Sequence, residues 1–421
     1  MADNDIINVD LFGVEIGRIG LDENRRRSSF QYNPDFLESN KWINIFPETG
    51  SLKRTPYVQL FGQYYGETFK GLPPQIADSL PDHFGSLIFK AWLETKKDKN
   101  ISALEQLAYV ANRGMGALEY RPSKALPKHG EIDLDEIIAV LKEVLDLKKS
   151  TEEKKLSNQS LINVFKIGTS AGGARPKILI SENKNSGKII PGDLEYSDAY
   201  EHYLVKLDLK QDGNYPREII EYIYNQLLKT AGVTVMASKL IDDKHFATQR
   251  YDRQHGEKQH VLTVTGMTGW DFKDAEKSSY ENLFKLGSFL KISHTQTEEL
   301  FRRMVFNVVY ANTDDHLKNH AFIYDKEKDG WELAPAYDVT FAMNPLLEYR
   351  TTSRALSING KRNNITIADF LKISDNYTVK NPKGIIRKVQ DQKELLLSYL
   401  KEYEVSQNVI DGMMKRVKEF I

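Results

Sequence analysis

Hydrophobic and polar positions divide the chain into a strand-patterned first part and a helix-patterned last part. Residues 6–20, IINVDLFGVEIGRIG, alternate apolar and polar side chains around Gly13, which predicts a hairpin. Phe30-Gln31-Tyr32 continues the strand character, and the stretch ending at Gly114, Gly116 and Arg121-Pro122 carries the punctuation of short strands and turns. One helix is expected around residues 85–94. At 131–149, Leu134, Ile138, Leu141 and Leu145 recur at helical spacing before a polar run at 148–155. Acids and bases mix evenly on the polar face, which favours a solvated helix over a membrane-surface one.

Residues 161–255 read as strands at 164–167, 177–181 and 203–207, with a small-residue loop between the first two. A helix follows over 216–231, with Pro216 in its first turn and Gly232 just past its end. From Tyr280 onward helical patterns dominate, at 281–291, 297–312, 385–403 and 405–421. The expected organisation is a strand-rich unit at 1–125, a second strand-rich unit at 126–255 and a helical unit at 256–421.

Composition narrows the chemistry. At about 150 residues per domain, the 421 residues suggest roughly two to four domains. The 58 Lys and Arg against 59 Asp and Glu leave a net charge of −1, which argues against a chain whose main task is gripping nucleic acid. With no cysteine, disulfides, thiolate metal sites and thiol nucleophiles are excluded. The first residues lack the basic start of a signal peptide, and no run of eighteen apolar residues occurs, so the expectation is a cytoplasmic protein without a membrane span.

The densest polar cluster is Asn312-Thr313-Asp314-Asp315-His316-Leu317-Lys318-Asn319, at the end of a helix pattern. Phosphoryl transfer to a hydroxyl needs a carboxylate beside the attacking oxygen and an amide nearby to hold magnesium, an Asp-x4-Asn spacing that Asp314 and Asn319 satisfy. A strand pattern at 321–324, a turn at Gly330 and a second strand then lead to Ala336-Tyr337-Asp338, which places Asp338 as a second magnesium carboxylate. Asp-x4-Asn alone also fits an ordinary Asn/Asp-rich helix exit. His316 and His320, four apart, suggest a competing metal site, but they lack the Glu of H-E-x-x-H.

A kinase also needs a phosphate loop, a strand lysine and a helix acid upstream. Gly168 to Lys177 supplies consecutive small residues that let backbone N–H groups approach phosphates, although it matches neither Walker A nor G-x-G-x-x-G. Lys206 is a lone cation in an apolar strand, which suits a phosphate contact or an edge strand. On the next helix Glu221 could pair with Lys206, and Glu218 and Glu221 could each instead complement the helix dipole.

In this order, Thr169-Ser170-Ala171-Gly172-Gly173-Ala174-Arg175-Pro176-Lys177, Tyr203-Leu204-Val205-Lys206, Arg250-Tyr251-Asp252-Arg253, Asn312 to Asn319 and Leu333-Ala334-Pro335-Ala336-Tyr337-Asp338 resemble the HipA-like serine/threonine kinases. These are toxins of bacterial type II toxin–antitoxin modules. The resemblance implies an α+β, bilobal protein-kinase-like fold: a family N-terminal subdomain at 1–125, a kinase N-lobe at 126–255 and a helical C-lobe at 256–421. It implies ATP and Mg²⁺ as cofactors, Asp314 as catalytic base, Asn319 and Asp338 as metal ligands, and His316 as a nucleotide-loop contact.

By the same resemblance Lys206 binds phosphates with Glu221 orienting it. Gly172, Gly173, Ala174, Arg175, Pro176 and Lys177 border ATP, as does Tyr337. Gln249, Arg250 and Tyr251 form the adenine hinge, with Gln249 where some members carry glutamate. Ser170 is the implied site of autophosphorylation in trans, which places roughly −1.5 to −2 charges on a loop that holds phosphates and switches activity off. The implied partners are a helix-turn-helix antitoxin of the HipB kind, operator DNA reached mainly through that antitoxin, and a protein substrate of the aminoacyl-tRNA synthetase class.

Two other functions remain open on sequence. D-x-H-x-x-N is shared with phosphatidylinositol kinases, but Arg25-Arg26-Arg27 is the longest basic run available for an anionic membrane. A nucleotide-binding co-repressor is the other.

Overall fold

The computed structural model describes residues 6–22, 24, 26–47, 52–80, 102–123, 137–139, 175–192, 197–209, 214–343, 345–346 and 353–420. The expected hairpin forms from Ile6–Leu11 and Val14–Asp22, with Leu11 opposite Val14. Its two-residue turn, Phe12 and Gly13, has φ of 49° and 77°. Two positive φ angles match the right-handed strand twist, and glycine meets that demand without strain. The sheet is antiparallel, in the order Gln59–Leu60, Arg27–Tyr32, Val14–Asp22, Ile6–Leu11, Leu118–Arg121. Alternation gives it one apolar face, which buries Ile7, Val9, Ile19, Phe30 and Tyr32.

A second antiparallel sheet runs in the order Ile189–Pro191, Lys177–Asn183, Tyr200–Lys206, His245–Gln249, Ser238–Ile241. Tyr200–Lys206 is therefore a central strand, and the edge-strand reading of Lys206 is ruled out. Against this sheet packs the Arg217–Ala231 helix, which buries Ile220, Ile223, Leu227 and Leu228 and ends on Gly232 at φ 85°. A third sheet, His260–Thr263, Ala321–Asp325 and Gly330–Leu333, contains the expected hairpin before Asp338.

The remainder is helical: Tyr280–Phe289, His294–Val309, Ile367–Tyr377, Pro382–Gln390, Lys393–Glu402 and Gln407–Met414. Their apolar faces join one core, centred on Phe301, Met304, Val305 and Phe306. Three details differ from the sequence pattern. The helix expected at 297–312 starts earlier, at a Ser293/Gln296 capping box, and stops at Val309, because Tyr310 and Ala311 leave helical geometry. The helix expected at 385–403 is two helices broken at Asp391-Gln392, and the Tyr310 hydroxyl donates to the Val389 carbonyl at that break (2.7 Å). The helix expected at 405–421 is confined to Gln407–Met414.

The helix expected at 85–94, the strand at 164–167 and the loop at 168–174 lie outside the described residues. Of the helix expected at 131–149, residues 137–139 are described and helical.

Candidate active site

Lys206 ends its central strand on the face toward the Arg217–Ala231 helix, where its ammonium donates to both carboxylate oxygens of Glu221 (2.6 and 2.8 Å) and to Asp338 Oδ1. The Lys206 and Glu221 side chains are 12% and 5% exposed, so neither could be held there without the other. Burial would neutralise Lys206, but Asp338 and Glu221 outweigh it and hold the amine protonated, raised above its ordinary value. Lys177 lies directly opposite Lys206 in the ladder and is buried, placing a second cation beside the first.

Asp338 has a φ of 55°, a left-handed conformation that Asp adopts more readily than most residues. The turn is anchored on both sides: the Ala336 N–H donates to the Thr234 carbonyl (2.8 Å) and the Tyr337 hydroxyl to the Lys318 carbonyl (2.6 Å). Burial pushes the Asp338 carboxyl up, but Lys206 and Lys177 reverse this and bring it down to about 2. It is thus ionised at neutral pH.

The segment expected to be the catalytic loop follows Tyr310 and is held by buried contacts. Asp315, 1% exposed, accepts from the Tyr280 hydroxyl (2.7 Å) and from Arg354 Nη2 (2.8 Å). Asn312 donates to Asn307, which donates to Tyr280 (both 3.0 Å). With Asp315 spent inside, its neighbour Asp314 is left exposed at the surface of the loop. Loss of hydration raises the Asp314 carboxyl, with Asp338 and Asp315 adding to the effect and His316 opposing it. Asn319 turns its amide nitrogen onto the Asp314 carbonyl (2.8 Å), so its oxygen is the atom it can offer a metal.

The donors facing this loop are therefore oxygens, from Asp338 and Asn319. No cluster of three or more His, Asp or Glu residues suited to a metal occurs among the described residues. A two-ligand oxygen site fits Mg²⁺, which keeps waters and takes its remaining ligands from phosphates. The His316/His320 metal reading does not hold. His320 is buried against the Tyr280 ring at 6.0 Å, and burial pushes its imidazole down to about 3. His316 packs on Phe272 at 5.0 Å, and its buried Nδ1 has no hydrogen-bond partner.

In the segment expected to form the hinge, Gln249 ends the His245–Gln249 strand, and the Arg250 N–H donates to the His202 carbonyl (2.8 Å). The Arg250 side chain is spent elsewhere, on Asp252 (Nε to Oδ1 2.9 Å, Nη2 to Oδ2 2.8 Å). Asp252 also accepts from Arg253 Nη1 and from the Gly116 N–H, both at 2.8 Å. Arg253 in turn donates to the carbonyls of Gly114 and Gly116. Gly116 sits at φ 76°, and a Cβ there would lie 3.1 Å from the Val261 carbonyl oxygen, so only glycine fits the approach. This buried cluster ties the N-terminal sheet unit to the hinge. From the hinge, Tyr251 packs on Tyr337 with ring centroids 5.6 Å apart.

The structure thus brings together Lys206, Glu221 and Asp338, and on the adjoining loop Asp314, His316, Asn319 and, through its carbonyl contact, Tyr337. Pro176 and Lys177 adjoin them at the start of their strand, and Arg175 precedes it. Ser170, Gly172, Gly173 and Ala174 lie outside the described residues. Sequence reasoning left Glu218 and Glu221 both open, and Glu221 is the acid that pairs. Asp315, Asp252 and Arg354 were missed as site-building residues; Asp315 and Asp252 lie inside motif segments, whereas Arg354, well past Asp338, carried no signal in the sequence.

Glu218, one turn before Glu221, is buried, and burial raises its carboxyl from 4.5 to about 7, with Asp208 and Glu221 adding to the effect. A group whose folded pKa is raised contributes stability below its unfolded pKa and loses it as pH rises through the folded value. Between about pH 4.5 and 7 the wild type should therefore lose stability relative to Glu218→Gln. Melting temperatures of the two proteins at pH 5 and pH 8 check this: the variant should gain on the wild type at the higher pH.

A five-stranded sheet with a buried Lys–Glu pair, next to a helical lobe carrying Asp-x4-Asn and a hairpin-borne Asp, defines a bilobal kinase-like fold. Comparison with known proteins agrees. A family described as the HipA-like C-terminal domain matches residues 169–396, and the HipA N-terminal domain matches residues 7–121. The chain belongs to the HipA family. It is similar to a chain in the Shewanella oneidensis MR-1 toxin–antitoxin complex of HipA, HipB and operator DNA, with a TM-score of 0.64 at 13% identity, over 97% of this chain and 94% of that one. At that identity the likeness is one of fold. A Haemophilus influenzae protein named "Putative kinase" is 25% identical over 293 residues, 58% of this chain and 83% of its own length. Among the described residues no helix is long and apolar enough to cross a membrane.

Proposed function

We propose that this chain is an ATP- and Mg²⁺-dependent serine/threonine protein kinase, the toxin of a type II toxin–antitoxin module. The observation that carries the reading is Lys206, held between Glu221 and Asp338 beside the loop of Asp314 and Asn319. Lys206, preset by Glu221, would bind the ATP phosphates, with residues 172–177 bordering the ATP site and residues 249–251 at the adenine. A magnesium ion held by Asn319 Oδ1 and Asp338 would neutralise charge on those phosphates. Asp314 would orient the acceptor hydroxyl and take its proton as the γ-phosphoryl group leaves ADP for the serine oxygen. The raised Asp314 carboxyl suits that proton transfer.

A HipB-like helix-turn-helix antitoxin is the proposed partner, with operator DNA held mainly by it. The net charge of −1 and the fold shared with a HipA chain that was solved with HipB and operator DNA support this division of labour. An aminoacyl-tRNA synthetase is the proposed class of target, and Ser170 the proposed autophosphorylation site.

Purified protein given labelled ATP and Mg²⁺ should take up one phosphate, mapped to Ser170 by mass spectrometry. Lys206→Ala removes the phosphate ligand and leaves Glu221 and Asp338 facing each other, so uptake should fall by about 10²-fold or more. Label on a residue other than Ser170, or undiminished uptake by Lys206→Ala, would count against the reading.

A further inference from the structure

The helix that carries Glu221 leaves through a short segment that is fastened at several points. Gly232 closes the helix, and its carbonyl accepts from Arg302 Nη1 (3.1 Å). Two residues on, Thr234 gives both of its donors to one carboxylate: its N–H to Glu299 Oε1 (3.1 Å) and its hydroxyl to Glu299 Oε2 (2.8 Å). The Thr234 carbonyl accepts from the Ala336 N–H (2.8 Å), and Val235 bridges Ala336 in parallel, two residues before Asp338. The segment is thus tied both to the His294–Val309 helix and to the turn of Asp338.

Glu299 is itself held in place. Its Oε1 also accepts from Arg303 Nε (3.1 Å) and Nη2, and its side chain is 14% exposed against 6% for Arg303. Burial would raise the Glu299 carboxyl, but Arg303 and Thr234 bring it below its ordinary value, so it is ionised at neutral pH. A carboxylate that is mostly out of water and accepts from four donors is a rigid anchor, unlike a screened surface pair. Arg303 in turn lines one small cavity together with Asn319, Tyr337 and Asp338. Two connections therefore run from Glu299 to the proposed metal ligands, one through Thr234 and Ala336 and one through Arg303. The Glu221 helix has a separate tie to the helical lobe, the Tyr224 hydroxyl donating to the Tyr310 carbonyl (2.7 Å), which keeps it seated without Glu299.

We propose that Glu299 is a positioning residue: acting through Thr234, it sets the spacing between the phosphate side of the site, Lys206 with Glu221, and the metal side, Asp338 with Asn319. The inference rests on the kinase reading and adds to it a residue outside the site. Lys206 and Asp338 are carried by separate elements, so phosphates and a metal ion bind as one unit only where those elements keep a fixed distance. A shift of the Asp338 turn relative to the Glu221 helix leaves each side able to bind alone and weakens the gain from binding both.

The test is calorimetric titration of the full chain with a non-hydrolysable ATP analogue, once in EDTA and once with Mn²⁺. The wild type should bind the analogue more tightly with Mn²⁺, and the ratio of the two affinities measures the coupling between the two sides. Glu299→Ala should cut that ratio about tenfold or more, the loss expected when a residue supporting a metal ligand is removed, and leave the affinity in EDTA within about twofold. Thr234→Val, which deletes only the hydroxyl bond to Glu299, should lower the ratio in the same direction, and Thr234→Ser should keep it at the wild-type value. An unchanged ratio in Glu299→Ala, or an affinity in EDTA that falls as far as the affinity with Mn²⁺, would overturn the proposal and leave Glu299 a purely structural residue. Should Glu299→Ala not fold, the Thr234 pair decides, and equal ratios in Thr234→Val and Thr234→Ser overturn it. Failure of the kinase reading looks different: the wild type itself gains nothing from Mn²⁺ or takes up no phosphate, whereas failure of the positioning role alone leaves a wild type and variants that gain equally.

Discussion

Asp314→Asn should lower phosphate transfer by about 10³-fold while leaving ATP affinity within a few-fold of the wild type. The substitution keeps the shape of the side chain and removes its capacity to take a proton. The structure keeps these roles apart. Asp314 stands exposed at the surface of the loop, whereas Lys206, Glu221 and Asp338 hold one another several elements away in sequence. Asp315→Asn, one residue on, should behave differently. It disturbs the buried contacts to Tyr280 and Arg354 and should appear first as lost stability. Single-turnover transfer and equilibrium ATP binding, measured on both variants, distinguish a base from an anchor. A large ATP-binding defect in Asp314→Asn would move that residue out of the base role.

Asp252→Asn should be the most destabilising of the substitutions considered, at about 3–5 kcal/mol. Asp252 is 0% exposed between two guanidiniums whose side chains are 1% exposed. Burial alone would raise its carboxyl, but Arg250 and Arg253 hold it well below the ordinary carboxylate range. Removing the charge takes from two buried guanidiniums the carboxylate that both contact, while the amide can still accept from the Gly116 N–H. Urea unfolding measures the loss. Glu67→Gln, which breaks the exposed pair with Lys273, is the control and should stay within about 1 kcal/mol. Because the cluster joins Gly114 and Gly116 to the hinge, the variant should also bind ATP more weakly at temperatures where it remains folded. Comparable stability of Asp252→Asn and Glu67→Gln would show that the cluster contributes little.

The contrast between these carboxylates shows what a sequence can carry. Asp314, Asn319 and Asp338 were legible because the loop and hairpin that hold them are continuous in the chain, and local spacing fixes their relation. Lys206 was legible as an anomaly, one cation in an apolar strand. The hairpin around Gly13 and the helix ending at Gly232 followed from periodicity and from positive φ at glycine. The break at Asp391-Gln392 did not. There a polar run, Gln390 to Glu394, crosses the break without showing whether the helix ends, and the break is met by the Tyr310 hydroxyl, brought from just past the end of another helix.

By itself, then, the sequence determined the N-terminal hairpin, the helix ending at Gly232, the hairpin before Asp338, the candidate acid and amide at Asp314 and Asn319, and the family resemblance. All of these depend on short-range spacing. Only the tertiary structure decided that Lys206 lies in a central strand, that Glu221 rather than Glu218 meets it, and that Asp252 joins the N-terminal unit to the hinge. Periodicity gives the face of an element but not what packs against that face. The partner of a buried charge is set by how separate elements close on one another to satisfy it.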